Sequence, residues 1–353
     1  MKHNKETGDF SSAGEFFSKV RKACDPTYLG KPDSRLVRAR GQKTAGHMTE
    51  SDDAQGGFTV PELWAAGIYE AAALEGQLVR PRAKVFKMAS DSLKILTLVD
   101  TDRSTNIFGG VTYKWTQEAA QKSADISNPA IGELEMTPHK LVASCFVSNE
   151  LEDDYGQFGQ LMNASFGKAL SFIEDEAFIR GTGAGQPQGI LGSGAEISVT
   201  RAANDRIDWT DLAHMAERLL PDSWNRAVFL INPDALDELF EATSSATDQV
   251  VGIDFGNRRF FGIPIIPSEF CSAIDSTGDC MLYDFGHYVV GDRSLEIASS
   301  READFASSGG FSYDSTFWRV VLRVDGQPTL TAPITPRRGA ETLSPFVVLT
   351  TNS

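Results

Sequence analysis

The sequence predicts an α+β fold hung on one long helix. Three observations carry that reading. A helical pattern runs unbroken from Leu151 to Arg180 and stops in a glycine run. Residues 84–146 are rich in β-type alternation, and residues 195–295 alternate strands with helices.

The helix comes first because the rest is placed around it. Leu151, Tyr155, Phe158, Met162, Phe166, Ala169, Leu170, Ile173, Ala177 and Phe178 recur mostly in steps of three and four, which lays one stripe along a helix. Ser148 fits an N-cap, and Glu150, Glu152, Asp153 and Asp154 sit where the positive end of the helix dipole favours carboxylates. Arg180 occupies the last turn, and Gly181, Gly183 and Gly185 end it. At 1.5 Å per residue, roughly thirty residues give a rod of about 45 Å, long enough to act as a spine. Gly156, Gly159 and Gly167 interrupt it and imply close packing or a bend.

The β-rich stretch contains SLKILTLV, GGVTYKWTQ and, later, LVASCFVS. Between Trp115 and Leu134 lies EAAQKSADISNPAIGE, polar and small, with no core face of its own. The expectation is a long hairpin whose tip leaves the domain and is ordered by a partner. In the later lobe, IDWTDLAHMAERLL reads as a helix and RAVFLINPDALDELF as a strand followed by a helix opening at Asn232-Pro233. RRFFGIPIIPSEF reads as a strand pair with buried prolines, and CMLYDFGHYVVGD and SLEIASS as separate strands. FWRVVLRVDGQPTL is a strong strand with Val320, Leu322 and Val324 on one face.

Residues 1–57 read as an arm. FSSAGEFFSKVRKAC is a short amphipathic helix with Phe10, Phe16, Phe17 and Val20 apolar, followed by polar, charge-rich sequence to Gly56-Gly57. Such a segment buries little of its own surface and should be ordered only by contact with something else. The body then opens at Phe58, with an extended piece and a helix from Pro61 to about Leu74.

Bulk properties exclude several classes. At 353 residues, with 41% hydrophobic and 23% charged residues, the chain has the composition of a globular protein with sizeable cores. No apolar run approaches the ~20 residues of a bilayer span, and the N-terminus has no apolar signal core, so no membrane is expected and the chain should stay where it is made. Net charge is -15, yet residues 1–50 hold ten Lys/Arg against six Asp/Glu. The acidic remainder should repel nucleic acid rather than bind it, and the basic arm suits either a neighbouring copy or solvent. For Cys24, Cys145, Cys271 and Cys280, reduced and mostly buried thiols are expected, with a Cys271–Cys280 loop disulfide as the alternative.

No catalytic constellation assembles. The run Gly181-Thr182-Gly183-Ala184-Gly185 ends a helix instead of opening one and lacks a following Lys-Ser/Thr, so it reads as a stop turn and not a phosphate loop. The Glu150/Glu152/Asp153/Asp154 cluster serves the dipole and solvent better than a divalent ion. His3, His47, His139, His214 and His287 are single, and there is no GxSxG elbow. Trp115, Trp209, Trp224 and Trp318 read as core. No metal, cofactor or enzymatic activity is expected.

Several ordered motifs nevertheless carry a resemblance. They are Gly56-Gly57-Phe58-Thr59-Val60-Pro61, Trp115-Thr116-Gln117-Glu118, Val147-Ser148-Asn149-Glu150-Leu151 with Asp153-Asp154, and Gly181-Thr182-Gly183-Ala184-Gly185-Gln186-Pro187-Gln188-Gly189-Ile190-Leu191. Ile231-Asn232-Pro233 and Phe261-Gly262-Ile263-Pro264-Ile265-Ile266-Pro267 follow. In this order, over about residues 56–330, the chain resembles the HK97-type major capsid proteins of tailed bacteriophages.

The resemblance implies an HK97-like capsid fold. Its parts would be an N-terminal arm (1–57), an opening helix and first strands of a peripheral domain (58–100) and an extended β-hairpin loop (101–146). The spine helix and glycine turn (147–194), an α/β axial domain (195–295), peripheral return strands (296–325) and a C-terminal return to the axial domain (326–353) would follow. The implied function is a self-assembling icosahedral head around double-stranded DNA, contacted weakly and without sequence preference. Hexamers and pentamers of the chain, a portal protein and a maturation protease are the implied partners, with a decoration protein as an optional one. With only about 57 residues before the opening motif, a separate scaffolding protein is expected. The virion capsid, assembled in the host cytoplasm, is the implied location. Phe16, Phe17, Trp115, Glu118, Lys122, Glu150, Asp153 and Asp154 are the implied inter-subunit contacts. Some family members join an extended-loop lysine to an asparagine. Lys122 lies where such a lysine would be, but Asp314 stands opposite in place of the asparagine, so no isopeptide crosslink is expected. The alternatives are an encapsulin-like compartment shell and, from a different class, a soluble hydrolase or nucleotide-binding enzyme resting on the glycine run alone.

Overall fold

The computed structural model describes residues 13–24, 33, 36, 58–59, 77–104, 109, 115, 118, 130–149, 155–204, 206–236, 253–254, 258–300, 304–305, 308–309 and 315–352. The chain divides into two compact units. The first is Met1–Gln77, Pro138–Glu174 and Asp292–Val324; the second is Leu78–Thr137, Asp175–Gly291 and Asp325–Ser353. This division by contact differs from the sequence partition, since it places Leu78–Thr137 with the strand-and-helix lobe.

In the first unit, β5 (His139–Ser148) pairs antiparallel with β15 (Ser315–Pro328), from Ser148 opposite Ser315 to His139 opposite Val324. The hydrogen-bonded order continues from β15 to β12 (Tyr288–Ser300) and then β1 (Phe58–Thr59), with Phe58 opposite Ile297. β12 begins in the second unit, at Tyr288–Gly291, and β2 (Lys84–Lys87) of that second unit also pairs with β12. Strand alternation puts Trp318, Val320, Leu322 and Val324 of β15 inside, which includes the face expected from the sequence. β12 is one continuous strand of 13 residues where two were expected. Beside the sheet lies α1 (Ala13–Cys24), whose Phe17 and Val20 are fully buried. The helical part of the arm is therefore packed on its own chain, which corrects the expectation that only a neighbour orders it.

The long helix is α2 (Tyr155–Arg180), 26 residues. Its buried seam is Met162, Phe166, Leu170, Ser171, Glu174, Asp175, Phe178 and Ile179, while Ala169, Phe172 and Ile173 face solvent. The stripe is thus rotated from the one counted on apolar residues. The cause is Asp175, whose buried carboxylate accepts from Leu78 N at 2.8 Å and Val79 N at 3.1 Å. A polar residue with two backbone partners sits on the inward face, and an apolar count passes over it. Ser148 closes β5 and does so opposite Ser315; the acidic run from Glu150 to Asp154 lies outside the described residues.

The second unit is built on a seven-stranded mixed sheet. Its order is β6 (Ile197–Thr200), β16 (Phe346–Thr350), β11 (Cys280–Tyr283), β7 (Val228–Ile231), β10 (Ile263–Pro267), β9 (Arg259–Phe260) and β8 (Ile253–Asp254). β16 pairs β6 in parallel and β10 pairs β7 in parallel; the other neighbours are antiparallel. Phe229, Ile231, Ile263, Ile265, Leu282, Val347 and Leu349 fill the core with Leu212 and Met215 of α3 (Trp209–Glu217). Asp208 and Asp211 form a reciprocal capping box at the start of α3. Pro264 and Pro267 are half-buried and exposed, against the expectation of buried prolines, because Ile263 and Ile265 take the inward positions of β10. The helices expected over residues 61–74 and after residue 236 lie outside the described residues.

The hairpin stem is β3 (Leu93–Leu98) against β4 (Ile131–Met136), registered Leu93 opposite Met136 and Leu98 opposite Ile131. β4 starts inside the segment read as core-less, because Leu134 and Met136 alternate inward onto Met88 and Val289. The two-stranded pair β13 (Asp304–Phe305) and β14 (Ser308–Gly309) completes the described strands. Cys145, Cys271 and Cys280 are free thiols, so the Cys271–Cys280 alternative does not form.

Candidate assembly surfaces

The glycine turn is a helix stop whose backbone is satisfied internally. Gly181 N donates to Ala177 O, Ile190 N to Phe178 O and Leu191 N to Ile179 O, so the last carbonyls of α2 keep partners. Gly183 N donates to Pro187 O and Gly189 N to Gly181 O. A Cβ on Gly181 would stand 2.2 Å from Pro187 O and 2.4 Å from Ala177 O, and Gly183 and Gly185 carry φ of +76° and +74°. The N–H groups of Gly181 and Gly183 point at carbonyls of the same chain, so neither is offered to a phosphate. Arg180 anchors it by donating to Phe270 O at 2.5 Å and to Ser272 Oγ at 2.6 Å.

The stem of the hairpin has two unlike faces. Leu93, Ile95, Leu134 and Met136 pack inward. Outward, Lys94 reaches Glu133 at 2.5 Å and Glu135 at 3.8 Å, and the Glu133 hydrogen bond with its charge raises the Lys94 pKa. Beside this pair, Leu96 is 75% exposed and Ile131 66%. Further along the loop, Trp115 is 97% exposed and Glu118 is exposed. On α2 the outward stripe Ser165, Lys168, Ala169, Phe172, Ile173 and Glu176 centres on two large apolar side chains. Val142 and Phe146 stand outward on β5, with Phe146 5.1 Å from Phe317. Each of these large apolar side chains is left exposed on the described chain.

Buried polar chemistry in the second unit is structural. The fully buried Arg201 guanidinium is ion-paired with the fully buried Asp279, and Asp279 also accepts from Asp275 N. Glu196 accepts from Tyr283 Oη at 2.7 Å and Gly192 N at 2.7 Å, and burial raises its carboxyl pKa against those bonds. Burial pushes the Cys271 thiol up to about 12 and Cys280 well up, so both stay protonated and are poor nucleophiles. Among the described residues no cluster of His, Cys, Asp or Glu has the arrangement of a metal site, and no helix is long and apolar enough to cross a membrane.

The sequence-derived contact residues separate cleanly. Trp115 and Glu118 are outward, as a contact would require, and the core reading of Trp115 is corrected. Trp318 is core, Trp209 is half-buried and Trp224 is 38% exposed. Phe17 is buried against Trp318 of its own chain, so its ring is not offered to a neighbour. Phe16 belongs to α1, but its side chain is outside the described residues, as are Lys122, Glu150, Asp153, Asp154 and Asp314. Leu96, Ile131, Phe172 and Ile173 were missed. The one signal, for Leu96, was that apolar residues fall on both faces of LKILTL.

A capsid chain of a native GTA particle aligns over 93% of this chain and 97% of its own, with 16% identity and a TM-score of 0.55. A chain of Mycobacterium phage Cain aligns over 78% and 90%, with 13% identity and a TM-score of 0.54. This mixed α/β fold is therefore one that phage capsid chains share. In sequence, the major capsid protein of Escherichia phage T5 is 22% identical over 187 residues, which span 49% of this chain and 41% of that relative's length. Residues 56–338 match the Phage capsid family, and the chain belongs to that family of structural, non-enzymatic proteins.

Proposed function

We propose that this chain is the major capsid protein of a tailed phage, self-assembling through pentamers and hexamers into an icosahedral head around double-stranded DNA. The observation that carries the reading beyond family membership is the outward apolar surface on Trp115, Leu96, Ile131, Phe172 and Ile173. A monomer gains nothing from such surface; a lattice of copies buries it on several sides at once. Contacts of ordinary interface size, about 1,000 Å² or more each, then add into a stable shell.

In this reading the fold is HK97-like. The first unit with most of α2 acts as the peripheral part and the seven-stranded lobe as the axial part. The hairpin beyond β3 and β4 acts as the extended loop. A scaffolding protein, a maturation protease and a portal protein would serve assembly in the host cytoplasm, with a decoration protein as an optional addition. DNA would be held weakly by a chain of net charge -15. No Lys122–Asp314 crosslink is expected. Cryo-electron microscopy of the expressed chain, alone and with its neighbouring head genes, tests the proposal. Closed shells with five-fold vertices are expected; a uniform population of single chains would overturn it.

A further inference from the structure

The seven-stranded sheet has two chemically unlike ends. β7 and β10 are parallel, with Ile265 opposite Phe229, so residues preceding both strands share one end and residues following both share the other. The leading end holds Trp224, before β7, and the loop Phe261–Gly262, before β10. That loop joins the paired residues Phe260 and Ile263, and φ is +47° at Phe261 and +85° at Gly262. This is the two-residue hairpin geometry in which Asn-Gly is the usual choice. Here a phenylalanine occupies the left-handed position, and Arg258 in the same hairpin also has a positive φ of 50°.

The strain is not needed for the core. Phe260 is fully buried and meets Phe229 edge-on at 5.8 Å. Phe261 lies outside it, 4.6 Å from Phe260 and 49% exposed. Unfavourable backbone is therefore spent on holding an aromatic ring outward, a pattern that points to recognition. Arg259 is exposed and folds over the tip, Nη1 donating to Gly262 O at 3.2 Å. Arg226, at the same end, is half exposed and paired with the buried Asp284; Asp222 is an exposed carboxylate there. The trailing end carries exposed Asp234 after β7 and exposed Glu269 after β10.

We propose that the Trp224–Phe261 end of this sheet docks onto the Asp234–Glu269 end of the same sheet in a second copy. Arg259 faces the carboxylates, and the Phe261 ring leaves water. Because the two ends are unlike and belong to one lobe, the contact is head-to-tail and propagates into a ring. The inference rests on the shell reading and assigns it a specific subunit contact.

Phe261→Asn is the discriminating variant, because it supplies the residue favoured at a left-handed turn position while removing the ring. Sedimentation of the full chain over a concentration series is compared for wild type, F261N, R259E, E269R and the R259E/E269R pair. F261N and each single charge reversal should weaken association by roughly tenfold or more, with melting unchanged, and the paired reversal should restore most of it. If wild type forms shells and F261N and R259E form them at the same concentrations, this contact is wrong and the shell reading stands. If wild type stays a single chain at every concentration, both fail.

Discussion

The ring of Phe17 meets the ring of Trp318 edge-on, with centroids 5.6 Å apart and planes at 84°, and neither ring touches solvent. This contact ties α1 to the first part of β15. Its removal leaves a cavity lined by an unmatched tryptophan face, so Phe17→Ala should cost about 3–5 kcal/mol. Chemical denaturation of the unassembled chain measures it. The same variant should also open residues 13–24 to limited proteolysis before the body unfolds.

A methyl group on Gly181 collides with two carbonyls, whereas Gly183 needs only a left-handed backbone with its Cβ direction open to 3.6 Å. Gly181→Ala should therefore cost more than about 3 kcal/mol, and Gly183→Asn should cost far less. Urea midpoints of the two variants give the comparison. Equal midpoints would mean that the turn is not held as described.

The Arg201–Asp279 pair lies wholly out of solvent. Removing one partner strands a buried charge, so Arg201→Ala should lose about 3–5 kcal/mol, while replacing both by Met and Leu should lose much less. A double-mutant cycle in denaturant reads the coupling.

His287 titrates unfavourably in the folded chain. Burial lowers its pKa more than the nearby Asp284 carboxylate raises it, and Arg226 and Lys84 lower it further. The unfolded chain then binds the proton more readily, so the contribution of neutral His287 is present above about pH 6.5 and is lost as pH falls below it. A His287→Gln variant should lose less stability than wild type between pH 7 and pH 5. Parallel melting curves across that range would contradict the assignment.

Much of the architecture was legible because periodicity reports burial. β15, β7 and the end of α2 at Arg180 follow directly from residue spacing and glycine. The inward face of α2 was not legible, since Ser171, Glu174 and Asp175 are buried polar residues whose partners lie far along the chain. The packing of α1 was hidden for a similar reason: a short amphipathic helix gives no sign that Trp318 of its own chain awaits Phe17. Exposed Trp115 was placed outward only by family resemblance, because an isolated tryptophan reads as core. The strained Phe261 was invisible, as a hairpin with Phe-Gly at its tip carries no turn signal for its first residue.

The central claim is that the outward apolar surfaces are covered by other copies of the same chain. Hydrogen exchange of the assembled particle against the dissociated chain tests it most directly, read at residues 93–99, 131–136 and 165–176. The account predicts strong slowing on assembly in all three segments, with little change at β7 and β11, which are already buried. Exchange that is the same in both states at Leu96, Ile131, Phe172 and Ile173 would contradict it.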